Sequence, residues 1–240
     1  YNLDRIHQWS ISNGLALNAK KSQALVIHRR TQIIATEPLF LNGELIAFSN
    51  SVKNLGIFFN TTLSWSDQVS AICRKVNFSL FSLRRFSDYT PQVTRLILAK
   101  ALLIPFFTYG AELFFSMDSE SLRHLSVAFN NCIRYVFQLR SRDHVSRFRD
   151  ALVGCDIQDY LKMRVVIFIY RLLRSNTPEY LSSLLTRGTS ARRECLMVPT
   201  SSIDLFYKNL FVQGVSLYNA LPRVARISIE SIKGHYLRDW

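Results

Sequence analysis

The sequence predicts an α+β chain in which a small region of strands and hairpins, residues 1–65, precedes a mostly α-helical bundle. Two observations carry this. Residues 51–65, SVKNLGIFFNTTLSW, hold a β-branched and aromatic run bounded by Asn, Thr and Gly, which fits strand and turn better than helix. From Ser66 onward the apolar residues recur at helical spacing instead, beginning with Val69, Ile72, Cys73, Val76, Leu80 and Leu83.

Taken in order, residues 2–12 place Leu3, Ile6, Trp9 and Ser10 at helical spacing and are expected as an amphipathic helix. Asn13 and Gly14 stop it, because this pair tolerates positive φ. Leu15 and Leu17 lead into a polar corner at residues 18–22, and the alternating run 24–28 is expected as a strand. Residues 38–48 carry Asn42 and Gly43 at their middle, the turn pair of a tight hairpin. A second hairpin covers 51–65, with Asn60, Thr61 and Thr62 as its turn and Leu63 and Trp65 on the returning strand.

On the helix that begins at Ser66, Arg74, Lys75, Arg84 and Arg85 lie largely off the apolar face. Thr90 and Pro91 open the next helix, which runs past Leu96 and Leu103 to a kink at Pro105. A third, over 120–137, buries Leu122, Leu125, Phe129, Cys132, Ile133 and Val136. A fourth, over 157–174, follows a capping Asp156, and a short one starts at Thr177 and Pro178. Residues 186–200 read as a loop, and 206–221 and 228–237 as two closing helices. The expected divisions are therefore 1–65, 66–185 and 186–240.

The 240 residues, 48% of them hydrophobic, are ample for a core and exclude a disordered chain. Thirty Lys and Arg against 17 Asp and Glu give a net charge of +13, which fits a polyanionic partner, nucleic acid or an acidic membrane surface, as well as a well-solvated basic surface. The most apolar run, 96–115, is interrupted by Lys100, Pro105, Thr108, Gly110 and Glu112 and reads as buried core, with no membrane span expected. The chain opens on YNLDRIHQW, with no signal-like apolar stretch and no initiating Met, so a fragment is expected. Cys73, Cys132, Cys155 and Cys195 are far apart, without CxxC spacing, and are expected as free thiols in a reducing compartment.

The most basic connection is RSRDHVSRFR, in which Arg140, Arg142, Arg147 and Arg149 crowd together. Closely spaced guanidinium groups offer paired donors to phosphate oxygens, although Asp143 and Asp150 stand near enough in sequence to pair with them. Phe148 in the same stretch is either a base-stacking ring or core. A catalytic constellation is absent from the sequence: the acids are scattered, with Asp156 and Asp159 explained by a helix start, and there is no GxSxG, HExxH or glycine-rich phosphate loop. His7, His28, His124, His144 and His235 are isolated from one another and from Cys, and no metal site is expected in this chain.

Two blocks carry a resemblance. HQWSISNGLALNAKKSQALVI, followed by SVKNLGIFFNTTLSWSDQVSAICRKVNFSLFSLRRF, resembles the end of the reverse transcriptase domain of non-LTR (LINE-type, jockey-like) retrotransposons. The first is similar to the family's W..NGL.LN..KS/T segment. The second is similar to its YLG.....L.W segment, the primer-gripping hairpin, with Asn54 where the family usually has Tyr. NTPEYL and LYNALPR are similar to later blocks, so the likeness covers nearly the whole chain.

The resemblance implies a palm end over 1–65, a helical thumb over 66–185 and a truncated C-terminal segment. It implies that the metal-holding aspartates, including those of a [YF]ADD motif, lie upstream of Tyr1, so that Mg²⁺ belongs to the complete enzyme and no cofactor to this chain. Lys21 falls on the motif D lysine, an ammonium that protonates or neutralises the pyrophosphate leaving group; on residues alone, Lys20 and Lys21 are a pair in a polar turn. Leu55 and Gly56 fall on the primer grip, where a missing side chain admits the primer backbone, while on residues alone Gly56 is a strand glycine at a bulge. The implied partners are an RNA template, a DNA primer and the upstream palm and fingers of the same polyprotein, in an intracellular, nuclear or cytoplasmic setting. A noncatalytic nucleic-acid-binding protein derived from such an element and a decayed reading frame without activity are the other expectations.

Overall fold

The computed structural model describes residues 2–28, 37–188, 195–200 and 210–237. The chain is α+β and divides into two compact units, Tyr1–Gln68 and Val69–Trp240, the division falling inside a helix. The start of the closing helix expected at Phe206 lies outside the described residues.

In the first unit, α1 (Asn2–Ser12) ends where expected: Gly14 takes φ 69°, the Leu15 amide donates to the Ser10 carbonyl at 2.8 Å and the Gly14 amide to Ile11 at 3.0 Å. Its inward face differs from the expected one. Leu3, His7 and Ser10 turn inward while Ile6 and Trp9 stay exposed, and Leu3 packs against the small cluster of Ala19, Leu41 and Ile46. The expected strand over 24–28 shrinks to β1 (Gln23–Ala24), which pairs in parallel with Ala47 and Phe48. Residues 25–28 leave the ladder, and the His28 amide donates instead to the Thr61 carbonyl at 2.9 Å.

Strands β2 (Leu39–Leu41) and β3 (Glu44–Phe48) form the expected hairpin, with Leu41 opposite Glu44 and Asn42 and Gly43 at φ 52° and 77°, the two left-handed residues of a type I′ turn. The second hairpin, β4 (Ser51–Asn54) with β5 (Ile57–Asn60), corrects the expected register. Asn54 faces Ile57, so the turn is Leu55–Gly56, at φ 46° and 87°, and not residues 60–62. Asn60 ends the strand instead: its Oδ1 accepts from the Ser64 amide at 2.8 Å and its Nδ2 donates to Ser64 Oγ at 2.8 Å. Gln68, almost fully buried, accepts the Phe58 amide on Oε1 at 3.1 Å.

In the second unit, α2 (Ser66–Arg84) buries Val69, Ile72, Val76 and Leu80, as its spacing predicts. Pro91 precedes α3 (Gln92–Leu98), and Thr90 does not cap it: the Thr90 hydroxyl donates back to the Phe86 carbonyl at 2.6 Å. A π-helical turn, Ala99–Leu103, carries the chain into α4 (Ile104–Thr108). Pro105 has no N–H to give the preceding turn, and a wider turn is one way a helix absorbs that loss. After α5 (Ala111–Phe114), Asp118 caps α6 (Ser119–Phe137), accepting the Ser121 amide at 2.8 Å; that bond holds the carboxyl below its ordinary pKa. The cap therefore contributes fully above the unfolded carboxyl's pKa of about 3.9 and loses its contribution as the pH falls through the lower folded value.

The short α7 (Asp150–Val153) leads to α8 (Ile157–Ser175), capped by Asp156 as expected. Around α8 pack α5, α6, α10 (Leu210–Ala220) and α11 (Ile229–Tyr236), with the short α9 (Glu179–Ser182) beside it. Gly214 lets α10 approach closely: a Cβ there would lie 3.1 Å from the Val165 side chain and 3.2 Å from that of Ile169. Two clusters, Met163–Val166–Ile167 with Leu221, Ala225 and Ile232, and Ile169 with Leu196 and Val215, join the residues after 186 to α8. The segment expected to begin separately at 186 thus shares its core with the helices before it.

Candidate nucleic-acid interface

Helix α2 turns about 100° per residue, so Arg74, Phe78 and Phe81 fall in one narrow stripe, and Arg85 continues it in the turn past the helix end. Lys75 and Arg84 flank the stripe on either side. The stripe lies opposite Val69, Ile72, Val76 and Leu80, and its rings face solvent: Phe78 is 74% exposed and Phe81 69%. Phe86 and Tyr89 extend the aromatic surface just beyond the helix. Rings interleaved with guanidinium groups suit a nucleic acid strand, since rings pack on bases and sugars while cations meet phosphates. The exposure of the four basic residues follows from their phase on the helix, and the same phase, out of step with the apolar face, exposes Phe78 and Phe81.

Lys75 Nζ stands 5.9 Å from the centre of the Phe106 ring, which steers its ammonium along the surface of the unit. Arg84 lines a cleft of about 610 Å³ together with Ser87, Asn131, Arg134, Gln138 and Ser141. In that cleft the Nε of Arg134 is buried without a hydrogen-bond partner, while its other nitrogens make long contacts of 3.4 Å to Asn131 Oδ1 and the Asp143 carbonyl. The structure therefore brings Arg84 to the base of the 140–149 connection.

Along that connection, Arg140, Arg142, Arg147 and Arg149 are all exposed, and none is ion-paired among the described residues. Asp143 does not neutralise an arginine; its carboxylate accepts the Arg140 amide at 2.7 Å and closes the turn. Phe148 stacks on Phe137 with ring centres 4.3 Å apart and is packing, not a free stacking platform. Changing Arg142, Arg147 and Arg149 together to Ala is accordingly expected to leave the fold within about 1 kcal/mol per site of the parent. The same change is expected to flatten the salt dependence of duplex binding by roughly one unit per lost phosphate contact, measured by titration at several salt concentrations. An unchanged slope would make these arginines solvated surface.

In the first unit, Lys21 ends a 3₁₀ turn, Ala19–Lys21, whose backbone is fixed by Asn18: the Lys21 amide donates to Asn18 Oδ1 at 3.1 Å. Its side chain is exposed, as is that of Lys20. Leu55 and Gly56 form the tip of the β4–β5 hairpin, with Leu55 85% exposed and at φ 46°. A β-bulge glycine is therefore the wrong description of Gly56. A leucine in a left-handed turn position is strained, and Asn or Gly would fit there better.

Among the described residues no group of His, Cys, Asp or Glu converges as metal ligands do, and no helix is long and apolar enough to cross a membrane. The four cysteines are free thiols; burial pushes that of Cys132 up to about 12. Comparisons of the chain with protein-family models, curated proteins and solved structures found no match.

Proposed function

We propose that this chain is the primer- and template-positioning part of a non-LTR retrotransposon reverse transcriptase, a palm end followed by a thumb, which holds nucleic acid for RNA-directed DNA synthesis. In this reading the metal-holding aspartates and their Mg²⁺ belong to the upstream palm of the same polyprotein. The observation that carries the reading is the Arg74–Phe78–Phe81–Arg85 stripe on the exposed side of α2, supported by the sequence blocks around it. Leu55 and Gly56 form an apolar tip that meets the primer end, and Lys21 is the cation near the leaving group.

The tip supplies a test. Leu55 takes φ 46°, a conformation a leucine adopts only at a cost, and in this reading contact with the primer end offsets that cost. Leu55→Asn is expected to stabilise the hairpin by about 0.5–1 kcal/mol, because Asn-Gly is the preferred type I′ pair. The parent is expected to bind an RNA template with a recessed DNA primer more tightly than a blunt hybrid of equal length, and the Asn variant to lose that preference. Equal binding of the two hybrids by the parent would remove the primer-positioning role.

A further inference from the structure

Between the last turns of α2 and α6 and the turn at 87–89 lies the cleft of about 610 Å³ that Arg84 and Arg134 share with Asn131 and Ser141. All of its described lining residues come from 84–88 and 131–141. We infer that this cleft seats a single phosphate group, a phosphodiester of the bound nucleic-acid strand, held by Arg84 and Arg134. The choice of a strand over a free anion rests on the function proposed above.

Arg134 is the centre of the seat. Its Nε is buried and bonded to nothing, and Nη1 and Nη2 reach Asn131 Oδ1 and the Asp143 carbonyl only at 3.4 Å, beyond the ordinary range of about 2.7–3.2 Å. A buried guanidinium nitrogen without an acceptor is costly, and a partner from outside the chain removes that cost. Because the two contacts that hold the group are long, it is free to turn and to present Nε and Nη2 as the paired donors that fit two oxygens of one phosphate. The usual structural role of an arginine in the last turn of a helix, donating to its free carbonyls, is already filled here. Arg95 bonds the Val136 carbonyl, and the Gln138 and Leu139 amides bond that of Arg134.

Donors without protein partners complete the lining. The Arg84 guanidinium makes no hydrogen bond or ion pair among the described residues, and the Ser141 hydroxyl makes no hydrogen bond. Asn131 receives Arg134 on Oδ1, which fixes the orientation of its amide and leaves Nδ2 as a donor to a ligand. The one carboxylate among the described lining residues, Asp88, stands 3.4 Å from Gln138 Nε2 and 3.5 Å from Ser87 Oγ and pairs with no arginine. Two guanidinium groups against that carboxylate leave one positive charge, which a single phosphodiester balances and a polyphosphate overshoots.

The test follows the Nε–H signal of Arg134 in a proton–nitrogen NMR spectrum of the full chain, assigned by its loss in Arg134→Gln. Titration with a recessed RNA–DNA primer–template is expected to shift that signal and to saturate with the binding curve. Arg134→Gln is expected to bind the hybrid about tenfold more weakly, with a salt slope shallower by roughly 0.9, one phosphate contact on a duplex. Arg134→Lys keeps the charge and loses the paired donors, so its slope is expected to stay near the parent's while affinity falls. Arg84→Gln, at an exposed side chain that holds nothing in place, is expected to give the same slope change and a circular dichroism melt like the parent's, and keeps the test sound if the Arg134 variants misfold. An equal shift of the Nε–H signal by inorganic phosphate at constant ionic strength would keep the seat and assign it to free phosphate. Binding of the hybrid with an unmoved Nε–H signal and an unchanged slope in the Gln variants would overturn the inference and leave the proposed function standing. A parent that binds no hybrid would overturn the proposed function instead, and the phosphate titration would then decide the seat by itself.

Discussion

Replacing Phe78 and Phe81 with Ala and Arg74 and Arg85 with Gln is expected to weaken binding of an RNA–DNA primer–template by about a hundredfold. Each aromatic that packs on a base contributes about 1–3 kcal/mol, and the two arginines add phosphate contacts, so about 3 kcal/mol is a conservative sum. Stability is expected to change little, because both rings are mostly in water in the free chain and the buried face of α2 is untouched. The alternative is that the rings dock on protein, as exposed apolar patches often do. Retained nucleic acid binding by this variant, together with loss of a protein partner, would favour that alternative. The split between rings and charges is informative: the two Phe→Ala changes alone should lower affinity at every salt concentration and leave the salt slope as it was.

Arg95→Ala is expected to cost the second unit about 4 kcal/mol, the largest stability effect of any single side chain considered. Arg95 is 6% exposed, and no carboxylate pairs with it among the described residues. Its charge is held by carbonyls: Nε donates to Val136 at 2.9 Å and Nη1 to Ser87 at 3.0 Å and also to Thr90. Val136 lies in the last turn of α6, where carbonyls lack intrahelical partners and the helix end is partially negative, so the guanidinium meets two needs there. Alanine would take this donor from the Val136 and Thr90 carbonyls, at about 1–3 kcal/mol for each one that stays buried, while the Ser87 carbonyl keeps the Thr90 amide at 3.2 Å and Gln138 Nε2 at 3.1 Å. Arg95→Lys keeps the charge but cannot reach all three carbonyls in one plane, and an intermediate loss is expected. Urea midpoints measure both; a change below about 1 kcal/mol in the Ala variant would mean that water reaches these carbonyls.

The start of α8 was legible almost to the residue. Asp156 explains this: a side chain that accepts the amide three residues on fixes a helix start locally, without help from the rest of the fold. The Asn42–Gly43 turn was legible for the same reason. The second hairpin was not, because Asn60–Thr62 carries turn chemistry while Leu55 does not. Backbone pairing of Asn54 with Ile57 overrode the local preference and left Leu55 strained. The inward face of α1 also escaped sequence reading, since Ile6 and Trp9 have the right spacing but the described unit offers them no apolar surface.

The candidate interface shows the same division. Arg74, Lys75, Arg84 and Arg85 could be named from charge and phase, but Phe78 and Phe81 emerged only once their exposure was seen, because aromatics in a helix read as core by default. The cleft was invisible in the sequence. Arg84 meets Arg134 across 50 residues, through helix packing that no local pattern encodes.

The central claim, that this chain grips primer and template through basic and aromatic surface, is tested most directly by titrating a recessed RNA–DNA primer–template with the parent chain across a range of salt concentrations. Tight binding at low salt is expected, with log K falling steeply and linearly against log salt and little dependence on the sequence of the hybrid. Absence of binding at low salt, or binding that does not respond to salt, would contradict it.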